Sequence, residues 1–220
     1  MARLIRLWKP HGVLSQFTSA DGRPTLKSLL DVADVYPAGR LDLDSEGLLL
    51  LTNSGALQAR IARPGSGFAK RYQVQVEGQP DPATMEQLCR GVVLKDGPAR
   101  ALAARVIAAP DLPERDPAPR PRPGRGSCWL EIELDEGRNR QVRRMCAAVG
   151  YPVLRLVRVS IGPWTLAGLQ PGNWRAETLH APVSARAASR PRRPPDRPPG
   201  TRSNGRRPDR SRASRTRRGS

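Results

Sequence analysis

Cysteine and histidine are scarce in these 220 residues, with Cys89, Cys128, Cys146, His11 and His180 making up the whole supply. No two cysteines have C-x-x-C spacing, which argues against a zinc site. Three unmatched thiols fit buried free cysteines in a reducing compartment. No apolar run approaches the ~18 residues that a membrane helix needs, and no signal-peptide pattern opens the chain. The chain is therefore expected to be cytoplasmic, without a membrane partner. Acids are also few: 20 Asp and Glu stand against 38 Lys and Arg, for a net charge of +18.

The excess charge is uneven. Residues 181–220 hold 13 Arg, 2 Asp and seven prolines, with one valine and no Ile, Leu, Met or aromatic residue. Such a segment cannot bury enough apolar surface to offset its ordering entropy, so it is expected to be a disordered tail. A folded domain is expected over 1–180, and it still carries +7. Lys and Arg in this excess suit an anionic partner, of which nucleic acid is the commonest.

Period and punctuation predict a mixed chain. Strands are expected over 4–8, with a possible continuation over 13–17 after the Lys-Pro-His-Gly turn, and over 48–52, 71–77, 101–108, 128–134 and 153–161. Helices are expected over 24–30, from Asn53 or Ser54 to Arg63, from an Asp81-Pro82 start to about residue 90, and over 139–149. Residues 110–126, rich in proline and arginine, read as a mobile basic loop. Strands and helices do not alternate in a βαβ rhythm, so the fold class is α+β.

Two places concentrate chemistry. In "AGRLDLDSEGLLLLTNSG" (38–55), Asp42, Asp44 and Glu46 crowd beside Arg40 and then give way to four leucines. In the helix over 139–149, Val142, Met145, Cys146 and Val149 form an apolar stripe. Arg140 and Arg144 fall on the opposite face, and Arg143 lies at the stripe's edge, placed to reach inward toward a carboxylate. The residues alone leave several readings of the acids open: a turn-capping Asp42 paired with Arg40, a facing carboxylate pair as in glycosidases, or a cation site of Asp42, Asp44 and Glu46. Tyr72 on its own reads equally as a core aromatic.

Three ordered motifs, "GRLDLDSEGLLLLTNSG", "KRYQVQVEG" and "EGRNRQVRRMCAAVGYPVLRLVRVSIG", together with the opening "WKPHGVLSQFT", resemble the RsuA-type family of ribosomal RNA pseudouridine synthases. The resemblance covers about residues 3–178. The chain begins at the catalytic motifs without an S4 domain, like the short RluE-type members. The resemblance implies a pseudouridine-synthase fold, with a mixed, mainly antiparallel sheet flanked by helices. It implies an isomerase acting on a uridine of 23S rRNA near the peptidyl-transferase centre, with no cofactor or metal, and working as a monomer. It makes Asp42 the catalytic carboxylate, Tyr72 the active-site tyrosine and Arg143 their basic partner. Lys9, Arg40, Arg138, Arg140, Arg144, Leu156 and Arg158 are assigned to substrate or RNA. Whether Asp42 acts as nucleophile at C1′ or as base at C2′ stays open, as does the role of His11. The rival reading is a non-catalytic RNA-binding or ribosome-assembly factor on the same fold, which would need the arginines but not Asp42 and Tyr72 together.

Overall fold

Four leucines in a row lack the alternation of a strand with one wet face, which fits a strand covered on both sides. The computed structural model describes residues 2–177. In chain order its elements are β1 (Leu4–Lys9), a 3-10 turn (Leu26–Ser28), β2 (Tyr36–Pro37), β3 (Glu46–Thr52), α1 (Gly55–Ala62), β4 (Lys70–Glu77), α2 (Pro82–Arg90), β5 (Val92–Leu94) and β6 (Gly97–Ala99). They continue with β7 (Ala103–Ile107), β8 (Ser127–Leu134), α3 (Gln141–Ala148), β9 (Val153–Ile161), β10 (Trp164–Thr165) and β11 (Trp174–Glu177). The main sheet runs β11-β1-β3-β9-β4-β8-β7, with β2 on β3 and β10 on β9. Every residue of β3 is buried. Leu48 and Leu50 pack with Leu4, Trp8 and Val157 on one face, while Leu49 and Leu51 pack with Ile5, Leu7 and Leu26 on the other.

The two halves of the sheet join where β3 meets β9, the parallel pairing among otherwise antiparallel neighbours. Gly47 makes the join possible. Its φ is +104°, and a Cβ there would lie 2.3 Å from the Arg158 carbonyl oxygen. No L side chain fits that approach. The acid loop thus enters the sheet centre directly, and β4 lies just across β9.

The predicted caps form. The Ser54 hydroxyl accepts from Leu57 N–H at 3.3 Å, and Asp81 accepts from Thr84 N–H at 2.8 Å with Pro82 opening α2. Val142, Met145 and Cys146 are buried, as their spacing predicts. Burial also raises the Cys146 thiol pKa to about 12, which makes it an inert core residue.

Several expectations are corrected. Residues 13–17 form no strand, only a bridge from Leu14 to Thr25. The helix over 24–30 shrinks to the 3-10 turn, capped by Thr25. Helix α3 starts at Gln141 because Arg140 takes a left-handed φ of 48°. The loop over 110–126 holds no strand or helix but is fastened: Pro113 O accepts from Arg155 at 2.9 Å, and Arg122 Nε donates to Glu77 at 2.8 Å. The tail over 181–220 lies outside the described residues.

Candidate active site

A carboxylate on a glycine-rich loop is useful only if the loop is held. Here the segment after β1 does the holding. Lys9 is completely buried, and its Nζ donates to Val13 O at 2.7 Å and Pro10 O at 2.9 Å, closing the Lys-Pro-His-Gly turn around itself. Burial lowers its pKa to about 8, opposed by the charges of Glu46 and Asp44. The turn then grips the acid loop on both sides of Asp42. Gly12 N–H donates to Leu43 O at 2.9 Å. The Ser15 hydroxyl donates to Leu41 O at 2.7 Å and accepts from Leu41 N–H at 3.0 Å. Lys9, expected to touch RNA, is instead an internal tether, because its ammonium is enclosed by the turn it organises.

Two arginines at the start of α3 meet this loop. Arg143 reaches inward to a carboxylate, as its place at the edge of the apolar stripe predicts, but that carboxylate belongs to Asp44 and not to Asp42, the partner the resemblance implies. Its Nη2 donates to the Asp44 carbonyl at 2.7 Å and its Nε lies 3.4 Å from the Asp44 carboxylate. Arg140 grips the same carboxylate through two hydrogen bonds of 3.0 and 2.9 Å and comes within 3.8 Å of Asp42 Oδ2. The left-handed backbone at Arg140 turns its side chain back toward the loop, which a wheel with uniform helical geometry misses. Burial disfavours the ionised form of Asp44, but the Arg140 hydrogen bonds and the charges of Arg143 and Arg140 outweigh it and hold its pKa below the ordinary carboxylate value. The Asp44 side chain, 39% exposed, is thus engaged by two arginines, while that of Asp42, 32% exposed, meets among the described residues only Arg140, at 3.8 Å. Behind the loop, Glu46 and Arg155, both buried, form a two-pronged pair at 3.0 and 2.9 Å.

Asp42 opens onto a cavity of about 500 Å³. Its floor is one face of the sheet. Lys70 and Tyr72 alternate along β4, and Tyr72 lies opposite Arg158 of β9, so these side chains and Leu156 share that face. Tyr72 is 6% exposed, and among the described residues its hydroxyl makes no hydrogen bond. Arg158 Nε donates to Leu48 O at 2.8 Å. Arg40 lines the cavity from an exposed position.

The structure therefore brings Asp42, Tyr72, Arg40, Arg138, Arg140, Leu156 and Arg158 around one cavity. Arg144 faces away and pairs with Asp96 at 2.7 and 3.0 Å, leaving it less free for a phosphate than expected. Arg138 lines the cavity but also donates to the carbonyls of Asp96 and Pro98, tying the β5–β6 hairpin to the start of α3. His11 is partly exposed, and burial with the charge of Arg115 lowers its pKa. Sequence reasoning missed Lys70 and Ser15. The alternation Lys70, Tyr72, Val74 was the available signal for Lys70; nothing local marks Ser15. Among the described residues no three His, Cys, Asp or Glu side chains are grouped to hold a metal ion, Asp44 and Glu46 being engaged by arginines. No described helix is long and apolar enough to cross a membrane.

Comparison with known proteins adds a family to this geometry. The RNA pseudouridylate synthase family matches residues 3–148. The ribosomal large subunit pseudouridine synthase E of Xanthomonas campestris pv. campestris is 53% identical over 186 residues, covering 83% of this chain and 100% of that protein. Its namesake from Vibrio vulnificus is 51% identical over 177 residues, covering 80% and 76%. A crystal structure of a pseudouridylate synthase superposes with a TM-score of 0.64 at 27% identity, over 81% of this chain and 71% of that one.

Proposed function

Since the chain belongs to the RNA pseudouridylate synthase family, as an RluE-type rRNA pseudouridine synthase, we propose that it isomerises one uridine of 23S rRNA, near the peptidyl-transferase centre, with Asp42 as the reacting carboxylate. The observation that carries this reading is Asp42 itself. It is the acid of its loop left without a close bidentate arginine, on a backbone fastened at Leu41 and Leu43, at a cavity backed by Tyr72.

Pseudouridine formation breaks the ribose C1′–uracil N1 bond and makes a C1′–C5 bond, with no net gain or loss of atoms. It needs an ionised carboxylate at the sugar, either attacking C1′ or taking the C2′ proton. Arg140 brings its guanidinium within 3.8 Å of the Asp42 carboxylate. Arg143 acts one step back, by fixing Asp44 and with it the loop. The fixed loop supplies positioning, which only a rigid site provides. The target base must leave its stack, at a cost of a few kcal/mol. The Tyr72 ring offers it a face, and the hydroxyl is free to assist proton loss at C5. Arg40, exposed at the rim, suits a flanking phosphate, while Arg140, also exposed, is already held by Asp44.

A water-activating second acid would turn the same site toward hydrolysis, but Asp44 is held by Arg140 and Arg143. The catalytic unit is taken as residues 1–180, acting as a monomer in the cytoplasm. Mapping pseudouridines in rRNA from cells with and without this gene tests the proposal. One 23S position should revert to uridine in the deletion. An unchanged map would reject the assignment.

A further inference from the structure

Two cations in the cavity floor have no counter-ion among the described residues. Lys70 is 6% exposed and Arg158 4%. Both line the cavity, and among the described residues neither Lys70 Nζ nor Arg158 Nη2 has a hydrogen-bond partner. Burial, then the charge of Arg158, lowers the Lys70 pKa, with Asp135 and Glu136 opposing from a distance. Buried charges are ordinarily paired, because removing an ion from water is costly. Arg155, equally buried, follows that rule with Glu46. The sheet explains how the exception arises. Lys70 stands two residues before Tyr72 on β4, and Arg158 is the β9 partner of Tyr72. The two cations therefore border the ring on the face where a base would lie.

We propose that Lys70 and Arg158 form the seat for the electron-rich edge of the extracted uracil and stabilise the negative charge it carries while detached from C1′. This rests on the synthase reading above. When the C1′–N1 bond breaks, both its electrons go to uracil and spread over N1, O2 and O4. The sugar is relieved at the same time, either by an Asp42 oxygen bonding to C1′ or by Asp42 taking the C2′ proton. When C5 bonds to C1′, the bond or proton at Asp42 is returned, C5 loses its proton, N1 gains one, and the ring is neutral again. The floor cations thus meet charge that exists only during reaction, the condition under which a fixed electrostatic environment accelerates a step rather than merely binding substrate. A phosphate is the other anionic group of the substrate. It stays on the outside of the RNA, where Arg40 and Arg140 are exposed, whereas the flipped base enters deepest.

The test compares single turnovers by the full-length protein on a large-subunit RNA fragment carrying uridine or 5-fluorouridine at the target. Fluorine makes the ring a better leaving group, so bond cleavage depends less on outside stabilisation. Lys70→Met is expected to react with the uridine RNA about 10²–10³-fold more slowly, with RNA affinity within about twofold and an unfolding midpoint no lower than the parent's. On 5-fluorouridine RNA the deficit in cleavage should shrink about tenfold. Lys70→Gln repeats the measurement should the methionine variant not fold. Equal deficits on both RNAs would overturn the proposal. So would a loss of affinity with a flatter salt dependence, which would mark a phosphate seat, or a lowered midpoint with normal turnover. If the unmutated protein forms no pseudouridine, the proposed function fails and this inference with it. If it does, and Lys70→Met matches it, only this inference fails.

Discussion

Behind the acid loop and beneath the cavity lie two sets of buried charge, and they are built in opposite ways. Behind the loop, Lys9 donates to two carbonyls, and Glu46 and Arg155 satisfy each other with two hydrogen bonds. Beneath the cavity, Lys70 and Arg158 are about as deeply buried, but among the described residues neither pairs with a carboxylate and both Lys70 Nζ and Arg158 Nη2 lack a hydrogen-bond partner, Arg158 being held through its Nε on Leu48 O. The first set is complete in the free protein and holds the loop. The second is complete only with substrate. The difference separates scaffold from machinery more clearly than burial or charge alone, since both sets share those.

Between the two sits Asp42, and its removal should have the largest effect. Asp42→Asn is expected to slow pseudouridine formation by about 10³-fold or more, with RNA affinity unchanged in a binding titration. Appreciable turnover by this variant would move the chemistry elsewhere. Next comes the scaffold. Glu46→Ala leaves Arg155 buried and unpaired, and denaturant unfolding should show a loss of about 3–5 kcal/mol. If it proved as mild as Lys70→Met, the distinction between the two sets would collapse.

Lys9 sharpens the comparison through pH. Its pKa is lowered from 10.5 to about 8 in the fold. The unfolded chain therefore binds more protons between those values, and the stability tied to Lys9 rises with pH across that window. The rise amounts to about 3 kcal/mol at most. It is absent below pH 8, where the ammonium is charged in both states. Stability curves of the parent and Lys9→Met should converge or diverge across that window accordingly; parallel curves would mean that Lys9 does not titrate there.

Smaller effects are expected at Tyr72. Tyr72→Ala should weaken binding of the target RNA by about 1–3 kcal/mol if a base stacks on the ring. Tyr72→Phe should bind normally and turn over more slowly if the hydroxyl assists at C5. The smallest concerns Arg144 and Asp96, an ion pair near the surface. Arg144→Ala should change stability by about 1 kcal/mol or less, as read from the unfolding midpoint.

Much of this arrangement was legible in the sequence. Caps at Ser54 and Asp81, the apolar stripe of α3 and the doubly buried leucines follow from spacing and side-chain chemistry that act within a few residues. What was not legible depended on distant pairing. The 48° φ at Arg140 redirected that side chain toward Asp44, and a helical wheel has no entry for such a turn. Residues 13–17 looked like a strand because Val13, Ser15 and Phe17 alternate with neighbours, yet their bonds go to Leu41, Lys9 and the 24–26 segment. The resemblance assigns Lys9 to RNA, and nothing in the sequence around it contradicts that. Only the closed turn shows it to be internal. The hairpin of β5 and β6 was missed although Lys95-Asp96 forms its turn and Gly97 follows at a φ of 105°, its strands being three residues each.

The central claim is that this site rearranges uridine rather than cleaving it. Rearrangement replaces the C5–H bond by a C5–C1′ bond, so tritium at C5 must leave the RNA. A 23S transcript labelled with tritium at C5 of uridine, incubated with the purified protein, should release tritium to water with no free uracil and no loss of RNA mass beyond the exchanged hydrogen. Asp42→Asn should release none. Retained tritium, or free uracil in the supernatant, would contradict the account.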